Sequence, residues 1–414
     1  MTTRSLSEHS TGEDAHAEFR ARARAFLAEV APPKGSPDDY ATEFQHGRIG
    51  EAEYVAASKR WQATLAARGW AGLAWPREYG GQGRSPIEAA IFAEEARNYG
   101  VSDFAFAVGL NMVGPMLMQH GTPEQRRRYL PPILTGDEVW CQLFSEPTAG
   151  SDLANVSTRA VRDGDEWVVR GHKVWTSKAT FADFAVLLAR TDPDVPKHRG
   201  MTYFICDMRT PGVTVSPIKQ MNGLSLFNEV FLDDVRIPHD NVVGEVNGGW
   251  AVAMTTLVSE RQMLGEGGGS VRVPPFEHLV ELARERGQLD DPRVRQELAG
   301  VYTRTQILRW LRLRLRAGGR AATGAEPLLM KLTAVAHQRR TGDVAAALLG
   351  PAATLVETER GEMDEWVALV LTAPSGGIAG GTDEIQRNVL GERHLGLPGE
   401  PRVDRDRPFR AIPR

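Results

Sequence analysis

Residues 142–151, QLFSEPTAGS, lie where the sequence changes from a helical to an extended character. Small and hydroxyl-bearing residues with a proline and a glycine predict a loop that leaves several main-chain N–H groups free for a ligand. Such a loop suits an anionic or carbonyl-rich ligand. Its composition alone fits an ordinary turn equally well, so the flanking sequence has to decide its meaning.

Upstream of this loop, the sequence favours helices. Thr11 followed by Asp14 matches a capping box, so a helix is expected to start there. Pro86 opens another helix at its first turn, and Thr122 caps a third with Pro123 behind it. The N-terminal third is therefore predicted to be helical.

Downstream of the loop, short runs with β propensity are separated by turn signals such as Asp163-Gly164-Asp165. The predicted strands are residues 166–170, 184–190, 201–206, 213–218 and 228–232. Their spacing predicts a small antiparallel sheet or barrel, because it leaves no room for crossover helices. No GxGxxG follows a strand, which argues against a Rossmann fold.

Helical character returns after Gly249 and lasts to about Leu395. We therefore expect a mainly α protein with a central β domain, divided into residues 1–137, 138–245 and 246–397, with a tail of residues 398–414. The tail, rich in Pro and Arg, is expected to be poorly packed. Residues 308–316, LRWLRLRLR, alternate apolar and basic residues, but their helical neighbours favour a helix with a basic face over a nucleic-acid-binding strand.

The composition is that of an ordinary globular protein: 42% of 414 residues are hydrophobic and 25% are charged. A net charge of −4 offers no bulk attraction to nucleic acid or to an anionic membrane. The sequence has two cysteines without a CxxC pair, no signal-peptide pattern and no apolar run long enough to cross a membrane. We expect a cytoplasmic protein, and the spacing of its histidines indicates no metal site.

A second informative stretch, KVWTS at residues 173–177, follows the loop with a strand between them. Alone it would be read as core and turn. The loop and this stretch occur together with EYGG at residues 78–81 and GTDEIQR at residues 381–387. With these four motifs in this order, the sequence resembles the acyl-CoA dehydrogenases over nearly the whole chain. The resemblance implies an N-terminal helical domain, a small β barrel or sheet and a C-terminal four-helix bundle. It also implies FAD as cofactor and an acyl-CoA thioester as substrate.

The resemblance also assigns cofactor-binding positions. Leu143 and Ser145 would contact the flavin ring system, Trp175 would lie against the isoalloxazine, and Ser177 would approach flavin N5. Thr382 and Glu384 fall where the C-terminal motif touches FAD.

The catalytic base is where this sequence departs from many members of the family. They carry a glutamate directly before the Gly-Thr of the C-terminal motif, where this chain has Gly380. Members resembling the isovaleryl- and long-chain-type enzymes place it instead before an arginine on the helix after the β domain, which points to Glu260 as base and Arg261 beside the substrate. Abstraction of a proton alpha to a thioester needs such a carboxylate in a dry pocket.

Three positions remain on the substrate side. Ser151 is expected to approach the thioester, and Gly380 and Gly381 to contact it, with the Gly380 N–H donating to the thioester carbonyl.

The pyrophosphate end of the cofactor is the second departure. Family members usually have Arg-x-x-Phe-Gly after the base-bearing helix, reaching the FAD of a neighbouring subunit, whereas residues 284–288 read RERGQ. Arg284 alone could still pair with phosphate.

Partners and alternatives stay open at this point. The resemblance implies reoxidation by an electron-transfer flavoprotein and assembly as a homodimer or homotetramer, with a heteromer possible. A non-catalytic partner subunit, or a flavin enzyme that acts on a carrier-protein thioester, are the alternatives.

Overall fold

The structure is a computed structural model that describes residues 4–45, 48–265, 273–317, 324–355, 364–402 and 404–412. Its order of elements is helices, a sheet and helices again. The predicted fold class, mainly α with a central β domain, is therefore confirmed.

The N-terminal part is built from helices α1 to α6. They are Arg4–Val30, Tyr40–Gln45, Glu51–Ala67, Pro86–Ala96, Gly114–His120 and Pro123–Thr135. Capping boxes at Ser85 and Thr122 start α4 and α6 as predicted. The expected start at Thr11 is wrong, because α1 already includes residues 4–10 and no Gly or Pro there interrupts it.

The central sheet has eight strands. They are β1 Trp140–Leu143, β2 Arg159–Asp163, β3 Glu166–Ser177, β4 Phe184–Arg190, β5 Met201–Asp207, β6 Val213–Ile218, β7 Phe227–Pro238 and β8 Val242–Val243. Most pairs are antiparallel, as expected, but β1 runs parallel to β4, and β2 meets β4 in parallel at one register position. The β2–β3 hairpin lies between β1 and β4 in the chain. This connection allows β4 to run in the same direction as β1.

The C-terminal part consists of helices α7 to α12. They are Gly249–Gly265, Phe276–Glu285, Pro292–Ala317, Glu326–Leu349, Glu365–Gly376 and Asp383–Val389. Apolar side chains from α8 to α11 form one core that includes Leu279, Val301, Val344 and Leu369. The LRWLRLRLR stretch lies within α9, as predicted, with Leu308 buried.

Residues 404–412 contradict the expectation of a poorly packed tail. Phe409 is only 3% exposed, and its main-chain N–H donates to the Val195 carbonyl at 2.9 Å. Pro408 forms a β-bridge with Pro196. The segment docks on the β domain because one aromatic side chain is buried there, which its Pro- and Arg-rich composition concealed.

No helix within the described ranges combines the length and the apolar character that crossing a bilayer requires.

Candidate active site

The two sequence motifs meet through a buried ion pair. Glu146 of the loop and Lys173 of β3 lie 2.8 Å apart, and both side chains are almost fully buried. The Lys173 ammonium also donates to the carbonyls of Phe144 at 3.0 Å and Leu188 at 2.8 Å. The loop is therefore fixed to the sheet at its centre.

Glu146 also ties the loop to the residues directly before β2. Its carboxylate accepts the main-chain N–H groups of Ser157 at 2.7 Å and Thr158 at 2.9 Å. Burial alone would raise the pKa of Glu146, but the Lys173 cation and these donors outweigh burial and lower the pKa to about 2. A permanently charged carboxylate thus holds the loop in one conformation.

Trp175 lies exposed beside this loop because β3 is irregular at that point. The pairing of β3 with β7 shifts register between Lys173 and Thr176, and Trp175 has a φ of 62°. Its residue surface is 59% exposed, and its ring meets Phe227 edge to face at 6.1 Å. A left-handed residue without a glycine costs free energy and indicates a functional constraint.

The flavin end of FAD fits these residues. Val174, next to Trp175, donates its N–H to the Ser145 carbonyl at 2.9 Å, so the main chain of the loop is joined to the strand directly beside Trp175. Ser145 and Ser177 are both partly exposed and can supply hydroxyl groups. A flat exposed ring with flanking hydroxyls suits a planar heterocycle with polar edges.

Leu143, unlike Ser145 and Trp175, is not exposed. Its side chain is fully buried in the core of the β domain. The neighbouring Gln142 is partly exposed. Alternation along β1 could have revealed the burial of the Leu143 side chain, since neighbouring side chains of a strand point to opposite faces. The flavin contact expected of Leu143 stays a prediction.

Helix α7 is anchored against the sheet on one face. A side chain at Gly249 would come within 2.7 Å of the Tyr203 backbone, so the helix approaches β5 closely there. Further along, the Thr256 and Tyr203 hydroxyls lie 2.9 Å apart. The Tyr203 ring meets Phe144 of the loop edge to face at 5.8 Å.

Glu260 follows Thr256 by one helical turn and is half-buried. Residues four apart lie on the same face of a helix, so Glu260 is on the side of α7 that faces β5 and the loop. Arg261 belongs to α7, but its side chain lies outside the described ones.

The C-terminal motif forms a separate, well-anchored turn. Gly380 and Gly381 have φ values of 65° and 88°, and the Gln386 amide donates to the Gly380 carbonyl at 2.8 Å. Thr382 caps α12 by accepting the Ile385 N–H at 3.2 Å. The motif is tied to α10, which also packs against α7.

The remaining predicted residues are on the surface. Ser151 is exposed in its turn, Arg284 is exposed at the end of α8, and the Glu384 side chain is 77% exposed. None of the contacts described above joins Arg284 or Glu384 to the loop.

A groove beside residue 288 is lined by charged side chains of both signs. Its charged lining comprises Asp291, Arg293, Glu297, Arg340 and Asp343. Both arginines are engaged by carboxylates, Arg293 by Asp291 at 2.9 Å and Arg340 by Glu297. A polyanion would meet carboxylates there rather than available cations.

Comparison with known families agrees with this geometry. The N-terminal domain model of the acyl-CoA dehydrogenases matches residues 13–137, the middle domain model matches residues 141–235, and the C-terminal domain model matches residues 247–395. The chain belongs to the acyl-CoA dehydrogenase family, whose members are FAD-dependent oxidoreductases. The predicted family, enzyme class and cofactor are confirmed.

Individual relatives are similar over almost their full length. Acyl-CoA dehydrogenase IpdE1 of Mycobacterium tuberculosis is 40% identical over 389 residues, covering 92% of this chain and 98% of the relative. The Tcur3481-Tcur3483 steroid ACAD has a TM-score of 0.79 at 34% identity, covering 94% of this chain and 98% of that structure. The ChsE4-ChsE5 complex from Mycobacterium tuberculosis has a TM-score of 0.74 at 30% identity, covering 93% and 98%.

Proposed function

We propose that this chain oxidises the α,β bond of an acyl-CoA thioester to the trans-2-enoyl thioester, with Glu260 as the base. Glu260 takes the α proton, and the β hydrogen leaves as hydride. FAD would be held by the surface around Trp175 and would supply the hydride acceptor. One proton and one hydride are removed, which balances formation of the carbon–carbon double bond.

The observation that carries this proposal is the line of contacts from Thr256 through Tyr203 to Phe144. It fixes the face of α7 that bears Glu260 toward the loop next to Trp175. A base and a hydride acceptor must lie on opposite sides of the reacting bond, within reach of it. Within the described part of the chain, the Glu384 side chain is 77% exposed and pairs with Arg387, which does not favour it for this role.

Other residues support the reaction without transferring the proton. With FAD bound, Trp175 would exclude water from the flavin, and the Ser145 and Ser177 hydroxyls would be available to hydrogen-bond to its polar edge. The Gly380 N–H donates to the thioester carbonyl as negative charge develops there. A glycine keeps this donor although it lacks the carboxylate other members carry at that position.

Replacement of the carboxylate tests the base assignment. In the flavin-loaded assembly with its partner chain, Glu260→Gln should lose flavin bleaching by acyl-CoA under anaerobic conditions by roughly two orders of magnitude or more, and retain its flavin spectrum. Glu245→Gln is the matched control, because Glu245 is exposed in the turn just before α7. Bleaching of Glu260→Gln at the unmodified rate would refute the assignment.

The acyl group is proposed to be bulky and ring-bearing. The support is the base on α7 and the similarity to a steroid ACAD. Anaerobic titration with octanoyl-, isovaleryl-, palmitoyl- and cholyl-CoA tests this, and we expect bleaching by cholyl-CoA in preference to the unbranched thioesters. Preference for octanoyl- or palmitoyl-CoA would contradict it.

The assembly is proposed to be heteromeric, with an electron-transfer flavoprotein as oxidant. The support is the stretch RERGQ at residues 284–288, which lacks the Phe of the family element that reaches the FAD of a neighbouring subunit. Two similar structures carry two chain names each. The chain purified alone should then be colourless and should gain flavin with its partner chain, whereas a yellow, active homomer contradicts the proposal.

The same assembly and the Glu260→Gln variant also test the two alternatives, specificity for a carrier-protein thioester and a non-catalytic role. Bleaching by acyl-carrier protein but not by acyl-CoA would establish the former. An assembly that keeps full activity with Glu260→Gln would establish the latter.

A further inference from the structure

The C-terminal segment, residues 404–412, is joined to the turn that follows the QLFSEPTAGS loop through one lysine. Lys197 Nζ lies 2.6 Å from an Asp404 oxygen and 2.7 Å from an Asp152 oxygen. The Lys197 side chain is 9% exposed, whereas the side chains of Asp152 and Asp404 are 53% and 28% exposed, so a buried ammonium joins two carboxylates that are partly open to water. Asp152 directly follows Ser151, the residue predicted to approach the thioester.

Arg190 makes a second connection between the same parts. Its guanidinium lies 3.9 Å from the centroid of the Phe409 ring. It also donates to the carbonyls of Ala154 at 2.6 Å and Lys197 at 2.6 Å. One buried cation thus contacts the C-terminal segment, the turn after Ser151 and the main chain of Lys197.

Main-chain contacts position the segment itself. The Phe409 N–H donates to Val195 at 2.9 Å, and the Arg410 N–H donates to Pro193 at 3.0 Å. The Arg410 side chain pairs with Asp194. The segment is therefore docked by backbone and side chains, on the loop that connects β4 to β5.

That connecting loop also reaches α7. The His198 ring, next to Lys197, meets the Trp250 ring at 4.9 Å with an interplanar angle of 80°. Trp250 is in the first turn of the helix that carries Glu260. The segment is thus linked to both sides of the proposed site through residues 193–198.

We propose that residues 404–412 are a structural part of the acyl-CoA site and that Lys197 is a positioning residue. Lys197 holds the turn that begins at Ser151, and Asp404 and Phe409 hold Lys197 and Arg190. The inference that this turn receives substrate rests on the proposed function. The inference that the segment holds the turn does not.

Hydrogen exchange of the full-length assembly that carries flavin tests whether residues 404–412 hold the turn that begins at Ser151. The amides of Asn155 and Val156 donate within the turn and report its opening. Asp404→Asn and Phe409→Ala should speed their exchange by roughly tenfold, because the turn opens locally once its anchor is lost. Asp406→Asn is the matched control, since Asp406 is an exposed aspartate of the same segment.

Kinetics test the consequence for substrate. Lys197→Met should raise KM for cholyl-CoA by roughly tenfold with a smaller change in kcat, because a displaced turn weakens binding before it affects the chemistry. Lys197→Arg should restore much of the loss. Lys34→Met, at an exposed lysine far along the chain, should leave KM unchanged.

Unchanged exchange at Asn155 and Val156 in both Asp404→Asn and Phe409→Ala overturns the proposal. If Phe409→Ala does not fold, Asp404→Asn decides alone. Faster exchange with an unchanged KM overturns only the substrate role of the turn. Failure of the Glu260 assignment leaves the exchange result intact, so the two proposals fail separately.

Discussion

Glu146 and Lys173 form a buried ion pair, with 2.8 Å between the carboxylate oxygen and the ammonium nitrogen. The pair joins the QLFSEPTAGS loop to the KVWTS strand. The two motifs are thus two halves of one arrangement, which explains in physical terms why they occur together. Glu146 fixes the loop, and Lys173 precedes the bulge that exposes Trp175.

The first prediction concerns this ion pair. Lys173→Met should lower the free energy of unfolding by about 3–5 kcal/mol, because it leaves Glu146 charged and buried without its partner. Flavin should be lost with it. Chemical denaturation measures the change, and Arg127→Met is the control, since Arg127 and Glu124 form an exposed pair expected to contribute less than about 1 kcal/mol. A loss below about 1 kcal/mol for Lys173→Met would contradict the prediction.

The second prediction separates function from stability at Trp175. The residue is largely exposed, so Trp175→Ala should change the free energy of unfolding by less than about 0.5 kcal/mol. The same change should weaken FAD binding by roughly tenfold, because a stacking surface is removed. Trp175→Phe should recover most of the affinity. Flavin fluorescence on dilution of the flavin-loaded protein measures this, and undiminished affinity in Trp175→Ala would exclude stacking on the flavin.

Local patterns were enough to predict most of the secondary structure. The strands at residues 184–190 and 213–218 have the predicted bounds because β-rich runs end at turn residues. The starts of α4 and α6 follow from caps within one turn. These signals are short-range, so the sequence displays them directly.

Features that depend on distant contacts were missed. The parallel pairing of β1 with β4 is decided by the chain between them. Phe409 is buried because Arg190, far away in the chain, presents its guanidinium to the ring. Within the site, the family resemblance supplied Glu260 and Trp175, whereas Lys197 carries no motif that would mark it.

The third prediction compares two glycines, one with a left-handed backbone and one within a helix. Gly380 has a φ of 65°, so Gly380→Ala should cost about 1–2 kcal/mol of unfolding free energy. Gly300 lies within α9 with open space where a side chain would start, so Gly300→Ala should stabilise by about 0.5–1 kcal/mol. Thermal unfolding compares the two. Equal effects of the same sign would show that the backbone at Gly380 is not left-handed.

The fourth prediction is a pH dependence that arises at His337. This residue of α10 is 7% exposed, and its Nδ1 has no hydrogen-bond partner among the described residues. Burial, followed by the charges of Arg304 and Arg312, lowers the pKa of His337 from 6.5 to about 4. The folded protein therefore favours the neutral ring, whereas the unfolded chain takes up a proton below about pH 6.5.

Stability should accordingly fall as the pH is lowered from about 6.5 toward 4, with up to about 3 kcal/mol attributable to this one group. Urea denaturation at several pH values should show a shallower decline in His337→Gln than in the unmodified protein. His394→Gln, at an exposed histidine that follows α12, should follow the unmodified curve. Parallel curves for His337→Gln and the unmodified protein would mean that His337 takes up a proton equally in the folded and the unfolded protein. The burial of His337 would then not cause the loss of stability at low pH.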